Sequence, residues 1–260
     1  MDSGHDERRS KTRIGIPLTE RNLTYFISDL HLGARYFSDP RQHELRVCSW
    51  LREIAPRCKR LYLLGDILDY WFEYHNVVPQ GFTRFFGALA ELADSGIEIT
   101  WITGNHDIWI FKYLPREIGF RLVDGPLEET IEGKRFFMAH GDGLGPVPAG
   151  ERLMRWVFRN RFLQRMFASI HPRWTVGLAY GWSASNRTKR APKNVEPTPL
   201  MKWLDSEKRP DADYFLFGHY HVLMDEQMPY GRVIILGDWI LNMSYAVFDG
   251  KELRLEKLQI

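Results

Sequence analysis

Five short motifs gather side chains that could do chemistry together: Asp29-Leu30-His31, Gly65-Asp66, Gly104-Asn105-His106-Asp107, His140-Gly141-Asp142 and Gly218-His219-Tyr220-His221. Five of the nine histidines fall in them, beside Asp29, Asp66 and Asn105, and no cysteine does. Nitrogen and oxygen donors without thiolate suit Mn, Fe or Zn. Two such cations about 3.5 to 4 Å apart can acidify a shared water and neutralise charge on phosphoryl oxygens, so the chemistry implied is hydrolysis of a phosphate ester or anhydride. His106 follows a candidate ligand directly, where an imidazole could stabilise developing charge, protonate a leaving group, or only orient Asp29 or Asp66. Asp107 and Asp142 fit orienting or structural roles better than ligation.

Residues this far apart in sequence meet only if the fold carries them together, and the apolar patterning supplies the elements. Residues 23–28 (LTYFIS) are rich in β-formers and run straight into Asp29, as a buried strand runs into a loop. Across residues 39–56, Val47, Trp50, Leu51 and Ile54 recur at helical spacing behind Asp39 and Pro40, a cap and first turn. A strand at 61–64, a helix at 82–93 with Phe85, Phe86, Leu89 and Leu92 on one face, and a strand at 97–102 repeat the pattern. This alternation predicts an α/β fold with a largely parallel sheet covered on both faces. Further strands are expected at 135–138, 214–217, 233–236 and 245–248. In such sheets ligands bind outside the carboxyl ends of the strands, where these motifs fall. Gly65, Gly104, Gly141 and Gly218 allow sharp turns or close approach there. His219 and His221, two apart, project on one side of an extended chain.

The 260 residues, 44% hydrophobic and 26% charged, suffice for one large domain, and a net charge of +2 does not by itself argue for a nucleic-acid partner. Cys48 and Cys58 lack metal or redox spacing and read as reduced thiols. Residues 1–20 form a polar tail without a leader-like apolar run, followed by one domain over 21–260. No later stretch approaches the roughly 18 apolar residues of a spanning helix, so a cytoplasmic protein, at most peripheral to the inner membrane, is expected. Residues 146–200 stand apart as a mainly helical cap: from Glu151 to Lys193 the only acidic residue is Glu151. There Arg152, Arg155, Arg159, Arg161 and Arg165 alternate with Met154, Trp156, Phe158, Phe162, Met166 and Phe167. That composition fits an amphiphilic phosphate and an anionic membrane surface, or an ordinary amphipathic helix pair packed on the body.

Taken in order, D-x-H, GD, GNHD, H and GHxH resemble the calcineurin-like metallophosphoesterase superfamily from Asp29 to about His221. The resemblance implies a four-layer α/β/β/α sandwich and two divalent cations, and the mixed nitrogen and oxygen donors make Mn the first choice, with Fe or Zn as alternatives. It also implies one cation held by Asp29, His31, Asp66 and His221 and another by Asp66, Asn105, His140 and His219, with Asp66 bridging. Within the superfamily, residues 27–34 (ISDLHLGA), 63–72 (LLGDILDYWF) and 140–144 (HGDGL) look like the UDP-2,3-diacylglucosamine pyrophosphohydrolases of lipid A biosynthesis. That family releases UMP and 2,3-diacylglucosamine 1-phosphate, and its helical lid carries a Ser/Asn/Lys-rich segment matched loosely by Ser185, Asn186, Arg187 and Lys189. With Asn105, His106, Asp142 and His219 these make the expected substrate-binding set. One departure is His106, where the best-known branch of the family has Arg; it leaves the metal pattern intact and keeps open a phosphodiesterase or phosphatase acting on another nucleotide or phosphoester. The expected partners are a nucleotide-lipid substrate and an anionic membrane, with no nucleic acid and no obligate protein partner.

Overall fold

Strand β1 (Leu23–Ile27) is buried at every position, and its side chains divide by parity. Leu23, Tyr25 and Ile27 enter one apolar core and Phe26 another, as a strand with a period of two requires when both faces are covered. The computed structural model that shows this describes residues 21–175, 177 and 197–259. The polar tail 1–20 and Ser185, Asn186, Arg187 and Lys189 lie outside the described residues.

Strands β2 (Cys58–Leu64) and β3 (Glu98–Ile102) split the same way, with Leu61, Leu63, Ile99 and Trp101 on one side and Tyr62, Leu64 and Ile102 on the other. Helices α1 (Pro40–Ile54) and α2 (Thr83–Asp94) cover the first core with Val47, Trp50, Leu51, Phe85 and Leu89. The α1 cap is the expected one: the Asp39 carboxylate accepts the Gln42 N–H at 2.9 Å. Helix α2 has no cap of its own, and Glu44 of α1 accepts the N–H groups of Arg84 and Phe85 instead.

The remaining strands are β4 (Arg121–Val123), β5 (Leu127–Ile131), β6 (Lys134–Ala139), β7 (Tyr214–Phe217), β8 (Leu223–Met228), β9 (Gly231–Leu236), β10 (Ser244–Phe248) and β11 (Leu253–Lys257). They complete two sheets, ordered β11-β10-β1-β2-β3-β4 and β5-β6-β7-β9-β8. Strands β1 to β4 are parallel, as are β6, β7 and β9, with antiparallel strands at the other edges. Between β6 and β7 come α3 (Ala149–Arg159), α4 (Arg161–Ala168) and α5 (Thr198–Leu204). The sheets face each other through Phe26, Tyr62, Phe136, Met138, Leu216 and Ile234, while Leu200 and Leu204 of α5 cover the outer face of the second sheet. The architecture is therefore the four-layer α/β/β/α sandwich. The residue pattern alone pointed to one sheet between helices; the inner face of the first sheet is closed by a second sheet instead, built from the strand-rich second half.

Helices α3 and α4 bury no residue. Phe162 is 68% exposed and Trp174, just beyond α4, 67%. The pair is moored at few points. Trp109 donates its Nε1–H to the Phe158 carbonyl at 2.9 Å, Phe167 packs on Phe72 and Trp109, Arg155 pairs with Asp142 and Arg159 with Asp124. Arg161 stands 5.4 Å from the Phe111 ring centre. Glu73 fixes the receiving loop by accepting the N–H groups of Phe111, Lys112, Tyr113 and Leu114.

Candidate metal centre

The carboxyl ends of β1, β2, β3, β6 and β7 deliver Asp29 and His31, Asp66, Asn105 and His106, His140, and His219 and His221 to one place. Turning each strand sharply into that place bends the backbone into the left-handed region. Asp29 (φ 54°), His31 (46°), Asp66 (53°), His219 (71°) and His221 (55°) are five of the eight non-glycine residues with positive φ among the described residues. Each such conformation costs on the order of 1 to 3 kcal/mol and persists only where surrounding bonds impose it. Here the loops tie one another down: Asp29 N–H to Gly65 O at 3.1 Å, His31 N–H to Asp66 O at 2.9 Å, Gly218 N–H to His140 O at 3.0 Å and Trp239 N–H to Asp29 O at 3.1 Å. Proximity requires glycine at several of these turns, Gly104 and Gly218 among them. A Cβ on Gly104 would strike the Asp66 carboxylate, and one on Gly218 would strike Ser28 and Asp29.

All seven residues expected as ligands stand in the cluster. Asp66 Oδ2 is its centre, 3.7 Å from His31 Nε2, 3.3 Å from His140 Nε2 and 4.0 Å from His106 Nε2. His140 Nε2 is also 3.2 Å from Asn105 Oδ1. Asp29 Oδ1 lies 3.6 Å from His31 Nε2 and 3.4 Å from His221 Nε2. Donor atoms of Asp29, His31 and His221 lie within 4.8 Å of one another, as do those of Asp66, His140 and His219. The residues fit divalent cations on one further observation. Asp29 Oδ2 accepts from the Ser28 hydroxyl and from the His219 N–H, whereas the buried Oδ1, which faces two imidazoles, takes no hydrogen bond among the described residues. A buried carboxylate oxygen is rarely left so unless something else satisfies it.

The charges are mutually arranged. Burial alone would raise Asp29, but His221, His31 and His140 outweigh it and hold the carboxyl at about 2. Burial likewise opposes ionisation of Asp66, and the nearby His140 and His106 rings hold it well below the ordinary carboxylate range. The reverse holds for His140, where burial is overcome by Asp66 and the ring is pushed well above the usual imidazole value. His219 falls to about 4 through burial and the neighbouring His140. Asp107 rises to about 6 through burial and the charge of Asp66, and it clasps the loops by accepting from Ile67 N at 2.9 Å, Gly104 N at 2.7 Å and Trp101 Nε1 at 3.2 Å.

His106 sits at the rim, its backbone N–H on Asp66 Oδ1 and its Nδ1–H on the Asp69 carbonyl at 2.8 Å. Asp142 adjoins the site but is engaged by Arg155 of α3. Three contributors escaped the sequence reading. His43 donates to the Leu30 carbonyl at 2.8 Å inside the first motif loop, the Asp69 carboxylate is 3.4 Å from His31 Nδ1, and the Asp238 carboxylate is 3.3 Å from His221 Nδ1. His43 left no signal beyond its place in a helix. Asp69 stands three residues after Asp66 without a motif of its own, while Gly237-Asp238 repeats the strand-then-Gly-Asp arrangement of Gly65-Asp66. A groove of about 390 Å³ beside Lys134, Arg135, Asp211 and Tyr230 opens at the opposite end of the second sheet and takes no part.

Residues 23–223 match the family described as calcineurin-like phosphoesterase. A UDP-2,3-diacylglucosamine hydrolase of Porphyromonas gingivalis is 42% identical over 258 residues, which cover 92% of this chain and 98% of that protein. A hydrolase of the same name from Ralstonia nicotianae is 29% identical, covering 92% of this chain and 91% of that one.

Proposed function

The chain belongs to the calcineurin-like phosphoesterase family and is a hydrolase, and from that premise we propose that it cleaves the diphosphate of UDP-2,3-diacylglucosamine to UMP and 2,3-diacylglucosamine 1-phosphate. The observation that carries this reading is the 42% identity over 92% of this chain and 98% of that relative. Family membership implies divalent metal. Asp29, His31, Asp66 and His221 would hold one cation and Asp66, Asn105, His140 and His219 the other, with Mn as the first choice. Such a pair, when bound, acidifies water and offsets negative charge on the phosphoryl group.

The residues of the chain do the rest. The backbone bonds among the strand-end loops fix the donors before substrate arrives, which is the preorganisation that electrostatic catalysis needs. His106, held through Nδ1–H on the Asp69 carbonyl, presents Nε2 toward the cluster, where in its imidazolium form, with hydrogen on both nitrogens, it donates from Nε2 to the departing phosphate as water displaces it from the α-phosphorus. Residues 146–200 act as a cap over the single domain 21–260, taking the acyl chains and resting on an anionic membrane. Ser185, Asn186, Arg187 and Lys189, with Asn105, His106, Asp142 and His219, contact the substrate.

Among the described residues no helix is long and apolar enough to cross a membrane. Surface attachment is supported by Leu153, Trp156, Phe162, Met166 and Trp174, all exposed, beside Arg152, Arg165 and Arg173, which are exposed too. The deciding assay supplies purified protein, Mn and UDP-2,3-diacylglucosamine and follows UMP against a panel of plain phosphodiesters. Release of UMP well above the turnover of the panel is expected; brisk turnover of the panel without UMP would give the site to another phosphoester.

A further inference from the structure

We propose that Asp238 is a positioning residue for the metal centre, clamping the His221 ring so that Nε2 faces Asp29. The inference rests on the reading of His221 as a metal ligand, and Asp238 lies beyond residues 23–223, the segment that carries the family match.

The three rings His31, His140 and His221 solve the same problem in different ways. A ligating imidazole must keep one nitrogen free of hydrogen, and the hydrogen bond made by the other nitrogen decides which. His140 donates Nδ1–H to the Leu64 carbonyl at 2.9 Å, and both it and His31 are almost wholly enclosed, with side chains 1% exposed. His221 is 32% exposed, among the described residues stacks only on His31 and starts from a left-handed backbone. Packing holds it least. The Asp238 carboxylate, 3.3 Å from its Nδ1, supplies what packing does not.

The two oxygens of Asp238 have separate tasks. Oδ1 accepts the N–H groups of Ile240, Leu241 and Asn242 at 3.0, 2.7 and 3.0 Å, fixing the turn after β9. Oδ2 faces His221. The turn also returns to the motif, since the Asn242 amide donates to the His221 carbonyl at 3.4 Å. An amide or hydroxyl oxygen would serve the turn equally well. Burying a carboxylate, here 2% exposed, is costly without a charged or strongly donating partner, and His221 is the partner that Oδ2 meets.

Asp238→Asn separates the tasks. Its amide oxygen can keep the three backbone bonds, which turns its NH2 toward His221; a donor there favours the ring form that carries hydrogen on Nε2, the nitrogen needed for the cation. In the full chain, Mn binding measured by calorimetry and by the paramagnetic resonance spectrum of bound Mn should show one of two sites weakened by about 10- to 100-fold, with Tm preserved. His221→Ala should lose the same site, and adding Asp238→Asn to it should weaken Mn binding no further. If His221→Ala binds both ions as the parent does, the ligand reading itself fails. If His221→Ala loses a site while Asp238→Asn binds both ions normally, or if Asp238→Asn costs as much in the His221→Ala background as alone, the clamp is wrong and the ligand reading survives. Should Asp238→Asn fold poorly, Asp238→Ser, which keeps an oxygen for the turn and offers His221 no carboxylate, must show the same loss at one site, and two unimpaired sites would overturn the proposal.

Discussion

The strand-end cluster and the α3–α4 helix pair are held in opposite ways. In the cluster the carboxylates and the His31 and His140 rings are buried, and Asp107, Asp69, Asp238 and crossed backbone bonds bind its loops to one another. Helices α3 and α4 bury no residue and touch the body through a few aromatic contacts and arginine pairs. The first is over-determined, as a centre must be if its donors are not to move when charge develops. The second resembles a part that can shift with what lies beneath it.

The contrast breaks most severely at its rigid end. Asp66→Ala removes an oxygen that lies within 4.0 Å of His31, His140 and His106, and a loss of several kcal/mol of transition-state stabilisation, roughly a thousandfold in kcat, is expected. His106→Ala should cost less, about a hundredfold, at matched metal occupancy. Equal residual rates would place both side chains in one role.

The next effect is in metal loading. With its pKa raised above the ordinary imidazole value, His140 carries a proton at neutral pH that a cation must displace, so affinity rises with pH by about tenfold per unit for one proton released. Calorimetry of chelator-treated protein with Mn in two buffers of different ionisation enthalpy at pH 6 and pH 8 tests this; no proton release at either pH would contradict it. The same protonated ring stabilises the fold most below about pH 6.5 and loses that contribution as pH rises through its raised value. Asp29 runs the other way. Its contribution is present above about pH 4 and is lost as pH falls toward about 2, so chelator-treated protein should unfold in acid across that window.

Smaller effects belong to the cap. Arg155 and Arg159 face Asp142 and Asp124, so replacing both by Ser loosens the mooring. We expect a several-fold rise in KM for a diacylated substrate, with Tm lowered by at most about 3 °C because part-exposed pairs contribute under about 1 kcal/mol each. An unchanged KM would make the cap a bystander. Replacing the exposed Arg152, Arg165 and Arg173 by Ser tests attachment separately, since sedimentation with anionic vesicles should fall and do so more at low salt. Sedimentation equal to the parent at every salt concentration would remove the membrane from the account.

These regions were also unequally legible in the sequence. The strands behind the five motifs are buried on both faces, so their apolar runs stood out, and each ran into its donor. Strands β5 (LEETI), β8 (LMDEQM) and β11 (LRLEK) lie at or near sheet edges with charged faces, and β4 has three residues; none had been expected. Asp238 and Asp69 went unread because a carboxylate that orients a ligand needs only proximity, which spacing in sequence does not encode. In the cap, composition told that arginines and aromatics alternate. Which arginines turn inward was decided by Asp124 and Asp142, on other parts of the chain.

The pairing of β1 with β10 has a consequence for biosynthesis. Asp29 reaches His219, whose N–H it accepts, across 190 residues, and the strand that closes the free side of β1 comes later still. At about 5 to 20 residues per second, roughly 10 to 40 s separate translation of the first donor from that of the last. During that interval β1 can pair with β2, while its other edge offers unpaired N–H and C=O groups to any extended segment nearby. A nascent chain stalled before β9 should therefore be open to chaperones or aggregation at that edge, and unable to hold metal tightly until the GHxH segment has emerged and docked.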